Sequence, residues 1–236
     1  ASAVLLCASS VSASVTIGSS NVTAFSGDSV AAGTTINEAN AQLGSKENRD
    51  HTQTFQLGSD LELGTVYFGI RSASDAASFT LRVWDLDTPS IVDNAAELGD
   101  LSGATELISE SFTPASGDAF NTTASGDVRL MTWTLDSSVS LSSGNTYAVQ
   151  IDDDGSGNVP VRWAFDNEGL GTDSYANGAV FRDNGSGLTT DIFDNGTVEG
   201  DAAMALQAVP EPALSAFVLG GLSALVLLIH RRRRAS

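Results

Sequence analysis

The sequence predicts an all-β protein, a jelly-roll-like β-sandwich of about ten strands, with a single membrane helix at its C-terminal end. Three observations predict it. Apolar residues recur with period two through most of the chain, as in Phe79-Thr80-Leu81-Arg82-Val83-Trp84. Clusters of Gly, Asn, Asp and Ser punctuate those runs, as in Asn184-Gly185-Ser186-Gly187. An uncharged apolar run at 213–229 comes last, followed by four arginines.

Residues 1–13 are small, apolar and uncharged. Val11-Ser12-Ala13 fits the small-x-small pattern that precedes a signal-peptidase cut, so this stretch reads as the remnant of a secretory signal. The competing reading is a buried N-terminal strand. Cys7 follows Leu6, where a lipoprotein signal needs a small residue, so lipid attachment is not expected. With the signal removed the chain contains no cysteine. Its stability then rests on its core or on bound ions.

The body spans 14–208. Strands are expected at 22–25, 52–57, 63–71, 79–84, 106–112, 128–135, 147–151, 161–165, 179–182 and 203–208. In 128–135, Val128, Leu130, Thr132 and Thr134 take one face and Arg129, Met131, Trp133 and Leu135 the other. Ser143-Gly144-Asn145, Asp154-Gly155-Ser156-Gly157-Asn158 and Asn195-Gly196 mark further turns. Helical turns are expected within 35–46 and 94–98. Many short antiparallel strands with Gly-rich connections point to a sandwich or jelly roll.

The tail is the most specific part of the chain. The 17 residues of 213–229 carry no charge, and as a helix they reach roughly 25 Å, the short limit for a bilayer. Gly220-Gly221 at their middle is usual in membrane helices and unusual in soluble ones. A soluble amphipathic helix would need a polar face, which is missing. Arg231, Arg232, Arg233 and Arg234 would hold the far end in the cytoplasm, with the body outside. Just before the helix stands Val209-Pro210-Glu211-Pro212, forced by its prolines into an extended form. This tripartite tail resembles the PEP-CTERM protein-sorting signal. The resemblance implies recognition of Pro210, Glu211 and Pro212 by an exosortase in the inner membrane of a Gram-negative bacterium. It further implies export or surface attachment, often alongside exopolysaccharide. No LPxTG-like motif is present, so a sortase substrate is not supported.

The body also resembles a jelly-roll domain frequent in proteins with this tail. The residues that carry the likeness are Thr54-Phe55-Gln56-Leu57-Gly58, Val66-Tyr67-Phe68-Gly69-Ile70, the Phe79 to Asp85 strand, Leu141 to Val149, and the Trp strand at 161–165. The resemblance implies the fold and a carbohydrate-binding character.

Charge excludes one class. All 29 acids lie in the body and the approach to the tail, with seven basic residues, a net charge of −22 there. Nucleic acid needs a basic face, so it is not a partner. Overall, charged residues are 17% of the chain, below the roughly 25% of soluble domains, while 42% hydrophobic residues suffice for a core.

Catalytic parts are scarce, and no catalytic residue is expected. His51 is the one histidine of the exported region, and its polar surroundings predict an exposed side chain. A serine triad would need it, and a zinc site needs more His or Cys than are present. A carboxylate-pair glycoside hydrolase would draw on Asp152, Asp153, Asp154 or Asp166. Calcium is the leading cofactor expectation. Asp152, Asp154, Ser156 and Asn158 offer oxygens at alternating positions. The loop is no EF-hand, since Trp163 stands where the closing Glu is required. The bland alternative is a solvated acidic turn. Asp85 and Asp87 form a weaker pair. For a glycan, aromatics stacked on sugar faces are needed. Trp84, Trp133, Trp163, Tyr67 and Tyr147 lie in strands, where core packing is the default. Tyr175, in the loop 171–178, is the first ligand candidate.

Together these readings predict an exported cell-envelope or extracellular-matrix protein with a structural or adhesive role, in contact with glycan or extracellular polysaccharide. A calcium-bearing carbohydrate-binding module and an exported glycoside hydrolase stand as alternatives.

Overall fold

The computed structural model describes residues 13–21, 31–32, 42–43, 50–74, 78–90, 92, 101–121, 128–152, 161–165, 178–183, 188–189 and 202–209. These residues are all-β. The strands are β1 (Ser14–Asn21), β2 (Ala31–Ala32), β3 (Gln42–Leu43), β4 (Asp50–Gln56), β5 (Leu61–Ala73), β6 (Phe79–Asp85), β7 (Thr105–Phe112), β8 (Phe120–Asn121), β9 (Arg129–Leu141), β10 (Thr146–Asp152), β11 (Val161–Phe165), β12 (Val180–Asp183), β13 (Leu188–Thr189) and β14 (Met204–Ala208). Four of these are two-residue pairings, and the other ten are full strands. Two expectations need correction. A strand forms at Ser14–Asn21, directly after the expected signal cut, where none was foreseen. The strand expected to end at 135 runs on to Leu141. Positions 22–25 and 94–98 lie outside the described residues, and 35–46 contributes the short β3.

Two antiparallel sheets pack as a β-sandwich. The larger runs β1-β9-β5-β11-β3, with β14 and β8 on β5 and β2 on β14. The smaller runs β13-β12-β4-β10-β6-β7. Alternation selects the inner faces. Phe55, Tyr147, Val149, Ile151, Val83, Leu81 and Phe79 face inward from the smaller sheet. Val66, Phe68, Ile70, Met131, Trp133 and Leu206 do so from the larger one. All belong to one buried cluster. Burying each such side chain stabilises the fold by about 1.5–3 kcal/mol. Phe79, Phe112 and Trp133 meet edge to face, with centroids 5.5–6.1 Å apart.

Gln53 is a buried polar residue on β4. Its side-chain oxygen accepts the Ala202 N–H at 2.7 Å, joining the smaller sheet to the chain entering β14.

One end of the sandwich is set by two short connections. Leu57 to Asp60 link β4 to β5, and Ser142 to Asn145 link β9 to β10. Gly144 turns with φ +81°, a conformation that favours glycine. Its N–H donates to the Leu57 carbonyl at 3.1 Å, so the two connections meet at one end. Val209 leaves the body at that same end, with its N–H on the Glu62 carbonyl at 2.8 Å.

After β6, residues 86–90 and 92 lie as a strap on the outer face of the smaller sheet. Thr54 donates its hydroxyl to the Val92 carbonyl at 2.6 Å, and Thr146 to that of Ser90 at 2.7 Å. There Val92 of the strap packs with Leu101, Ala179 and Phe181 as a second small core, flanked by Trp84, Leu86 and Ala104.

Candidate functional site

The outer face of β6, β7 and β10 is polar because alternation sends their apolar residues inward. Beyond the strap, Arg82 is its hub. Its Nε donates to Asp152 Oδ2 at 2.6 Å, and its Nη1 to Glu106 Oε2 at 2.7 Å and Ser109 Oγ at 3.1 Å. Two facts of register bring these together. Gln150 lies opposite Arg82 on one side and Ser109 on the other, while Asp152 and Glu106 sit diagonally. Burial alone would pull the guanidinium pKa down. The hydrogen bonds and charges of Glu106 and Asp152 outweigh that and raise it. Thr80 and Ser111 share a hydrogen bond at 2.6 Å beside this group, and Trp84 Nε1 donates to Gln150 Oε1 at 3.2 Å.

Chemically this face is a set of hydroxyl, amide and charged groups already joined to one another. Asp152 is the first of the four calcium candidates, and its Oδ2 is engaged by Arg82. Asp154, Ser156 and Asn158 lie outside the described residues, as do Asp153 and Asp166. Among the described residues no group of three or more His, Cys, Asp or Glu is placed to hold a metal. Asp85 and Asp87 serve the turn after β6. Asp85 Oδ1 accepts the Asp87 N–H at 2.9 Å, and Asp87 Oδ2 accepts the Thr105 hydroxyl at 3.1 Å. Asp87 has φ +52°, a conformation its short polar side chain tolerates.

The strand aromatics divide. Trp133, Trp163 and Tyr147 are fully buried. Trp133 Nε1 donates to Glu110 Oε2 at 2.7 Å, and Trp163 Nε1 to the Ala203 carbonyl at 2.9 Å. The Tyr147 hydroxyl accepts the Ser142 N–H at 2.7 Å. Trp84 and Tyr67 are half-buried on the outer faces, Tyr67 bonded to Gln207. Tyr175 lies outside the described residues.

His51 departs from expectation. It sits within β4, between Ile151 of β10 and Arg182 of β12, and only 6% of it is exposed. Pairing on both sides draws the start of β4 out of the polar loop that its neighbours in sequence imply.

Pro210, Glu211, Pro212 and Arg231 to Arg234 lie outside the described residues, as does 213–229. Among the described residues no helix is long and apolar enough to cross a membrane. What the structure adds at the tail is the end of the body. The last strand, β14, is hydrogen-bonded to β5 and β2 and buried from Met204 to Leu206. Val209, 38% exposed, follows at the surface.

No family model matches the chain, and no curated protein does. Among solved structures it is similar to the cysteine protease and lectin-like domains of Cwp84, a surface layer associated protein of Clostridium difficile. The TM-score is 0.35 and the identity 14%, over 68% of this chain and 32% of that one. This chain thus spans about a third of the length of that protein. A likeness at this level leaves function to be argued from the residues themselves.

Proposed function

We propose that this chain is an exported cell-envelope or extracellular-matrix protein, a jelly-roll sandwich delivered by a PEP-CTERM tail, with a structural or adhesive role and no catalytic one. The observation that carries this reading is the junction at Val209. The Pro-Glu-Pro motif begins at the residue after it. Removal of everything beyond Val209 would leave both sheets and the core whole, as a sorting signal requires. The tail would place the precursor in the inner membrane of a Gram-negative cell with its body outside. An exosortase would then pass it to the surface or the surrounding polysaccharide.

Several contacts support a non-catalytic body. Glu106 and Asp152 share Arg82. Asp60 accepts the Ser143 N–H at 2.8 Å, and Glu110 binds Trp133. His51 is buried in a strand. A net charge of −22 outside the arginine cluster favours neutral polysaccharide over anionic, unless divalent ions bridge the two.

The C-terminus of the mature protein from its native host tests the proposal, read by intact mass and peptide mapping. A chain ending near Pro210–Pro212 supports a processed sorting signal. Retention of Arg231–Arg234 in all molecules would overturn it and make the helix a permanent anchor.

A further inference from the structure

Among the described residues four strands end the two sheets: β1 and β3 in the larger, β13 and β7 in the smaller. β3 and β13 are two residues long. β1 and β7, at eight residues each, present a longer row of backbone groups on their outer side. Among the described residues β7 pairs with β6 alone and β1 with β9 alone.

The two long edges differ. β7 carries Glu106 and Glu110, and Glu110 turns inward to Trp133. Charge of that kind keeps a further strand from adding. β1 has neither charge nor proline. Its register with β9 runs unbroken from Ser14 to Ile17, and the irregularity comes after. Over that stretch the usual guards of an edge are missing. In a body of net charge −22, β1 is a neutral edge.

The stretch is also its own complement. Antiparallel pairing of two copies about Thr16 sets Thr16 against Thr16, Val15 against Ile17 and Ser14 against Gly18. Val15 and Ile17 are half-buried against the core. Placed opposite each other, these β-branched residues carry the inner apolar row across the join. On the outer face the two Thr16 hydroxyls come together. Ser14, Thr16 and Gly18 are exposed and small, which leaves room for a close approach. A charged partner strand would find nothing on β1 to pair with, whereas a second β1 matches it at every position.

We infer that β1 is an interface between copies of this chain. Two β1 strands pair antiparallel about Thr16 on a twofold axis and join two larger sheets into one. A join over Ser14 to Gly18 is short, below the roughly 1,000 Å² of a stable interface. The pairing is therefore reversible and depends on concentration. It does not rest on the sorting-tail reading.

The test uses the full chain in mild detergent, with Cys7→Ser so that one introduced cysteine reports. Thr16→Cys puts two sulfurs opposite each other across the axis, close enough to bridge. Gly103→Cys, on an exposed turn with nothing within 4 Å of an added Cβ, is the control. Under mild oxidation the Thr16→Cys dimer should form about tenfold faster or more. Association through the tail would cross-link both positions alike, and equal rates would overturn the inference. Sedimentation gives a second readout. Thr16→Lys and Thr16→Asp should each be monomeric at the parent's melting temperature, because like charges then meet at the axis. An equal mixture of the two should associate again. Salt should tighten the unmodified dimer, since it screens the repulsion of two acidic bodies. A mixture no more associated than either variant alone would also overturn the inference, as would an unmodified chain that stays monomeric at every concentration.

Discussion

Trp133 donates its indole N–H to Glu110 at 2.7 Å, and the other Glu110 oxygen accepts the Asp136 N–H at 2.8 Å. One carboxylate on β7 thus ties the edge of the smaller sheet to β9 of the larger. An inward-pointing charge on an edge strand also discourages a further strand from adding there. Glu110→Ala would leave a buried indole donor unsatisfied. The expected loss is about 1–3 kcal/mol, read as a lower urea midpoint at unchanged slope. An unchanged midpoint would show that water replaces the carboxylate without cost.

Gly178 has no room for a side chain. A Cβ there would lie 2.1 Å from the Thr54 carbonyl oxygen and 2.6 Å from its carbon, both backbone atoms that strand pairing holds in place. Gly178→Ala should cost about 3 kcal/mol or more. Gly58 and Gly103 have nothing within 4 Å, so alanine at either serves as the control and should melt near the parent. Similar melting of all three variants would refute the close approach.

Arg82 is shared by two carboxylates, with side chains 17–35% exposed. A double-mutant cycle of Arg82→Ala and Asp152→Asn should give a coupling of about 1 kcal/mol, reduced by salt. A coupling of zero would make the hub a surface contact of no energetic consequence.

Acid should weaken the sandwich through Asp60 and Glu62. Hydrogen bonds lower both pKa values from 3.8 and 4.5. Each group contributes stability above its unfolded value, and the contribution is lost as pH falls through the lower folded one. Stability should therefore decline below about pH 4.5, and Asp60→Asn with Glu62→Gln should flatten that decline. The check is chemical denaturation at several pH values. A decline of the same slope in the double variant would place the acid sensitivity elsewhere.

By itself the sequence determined the all-β class, the positions of most strands and their inward faces. The strand expected at 79–84 forms over Phe79–Asp85, because alternation of apolar and polar residues is a local signal. Core placement of Trp133, Trp163 and Tyr147 followed from the same pattern. The expectation for the tail rests on contiguous residues, Pro210-Glu211-Pro212 and Arg231 to Arg234, which lie outside the described residues. Other features needed the tertiary structure. Ser14–Asn21 alternates weakly and becomes a strand by pairing with β9. His51 is buried because β10 and β12 flank it, Glu110 turns inward to meet Trp133, and Arg82 gathers Glu106 and Asp152 from two neighbouring strands. Each depends on which distant strands lie side by side and in what register, and no local period encodes that choice.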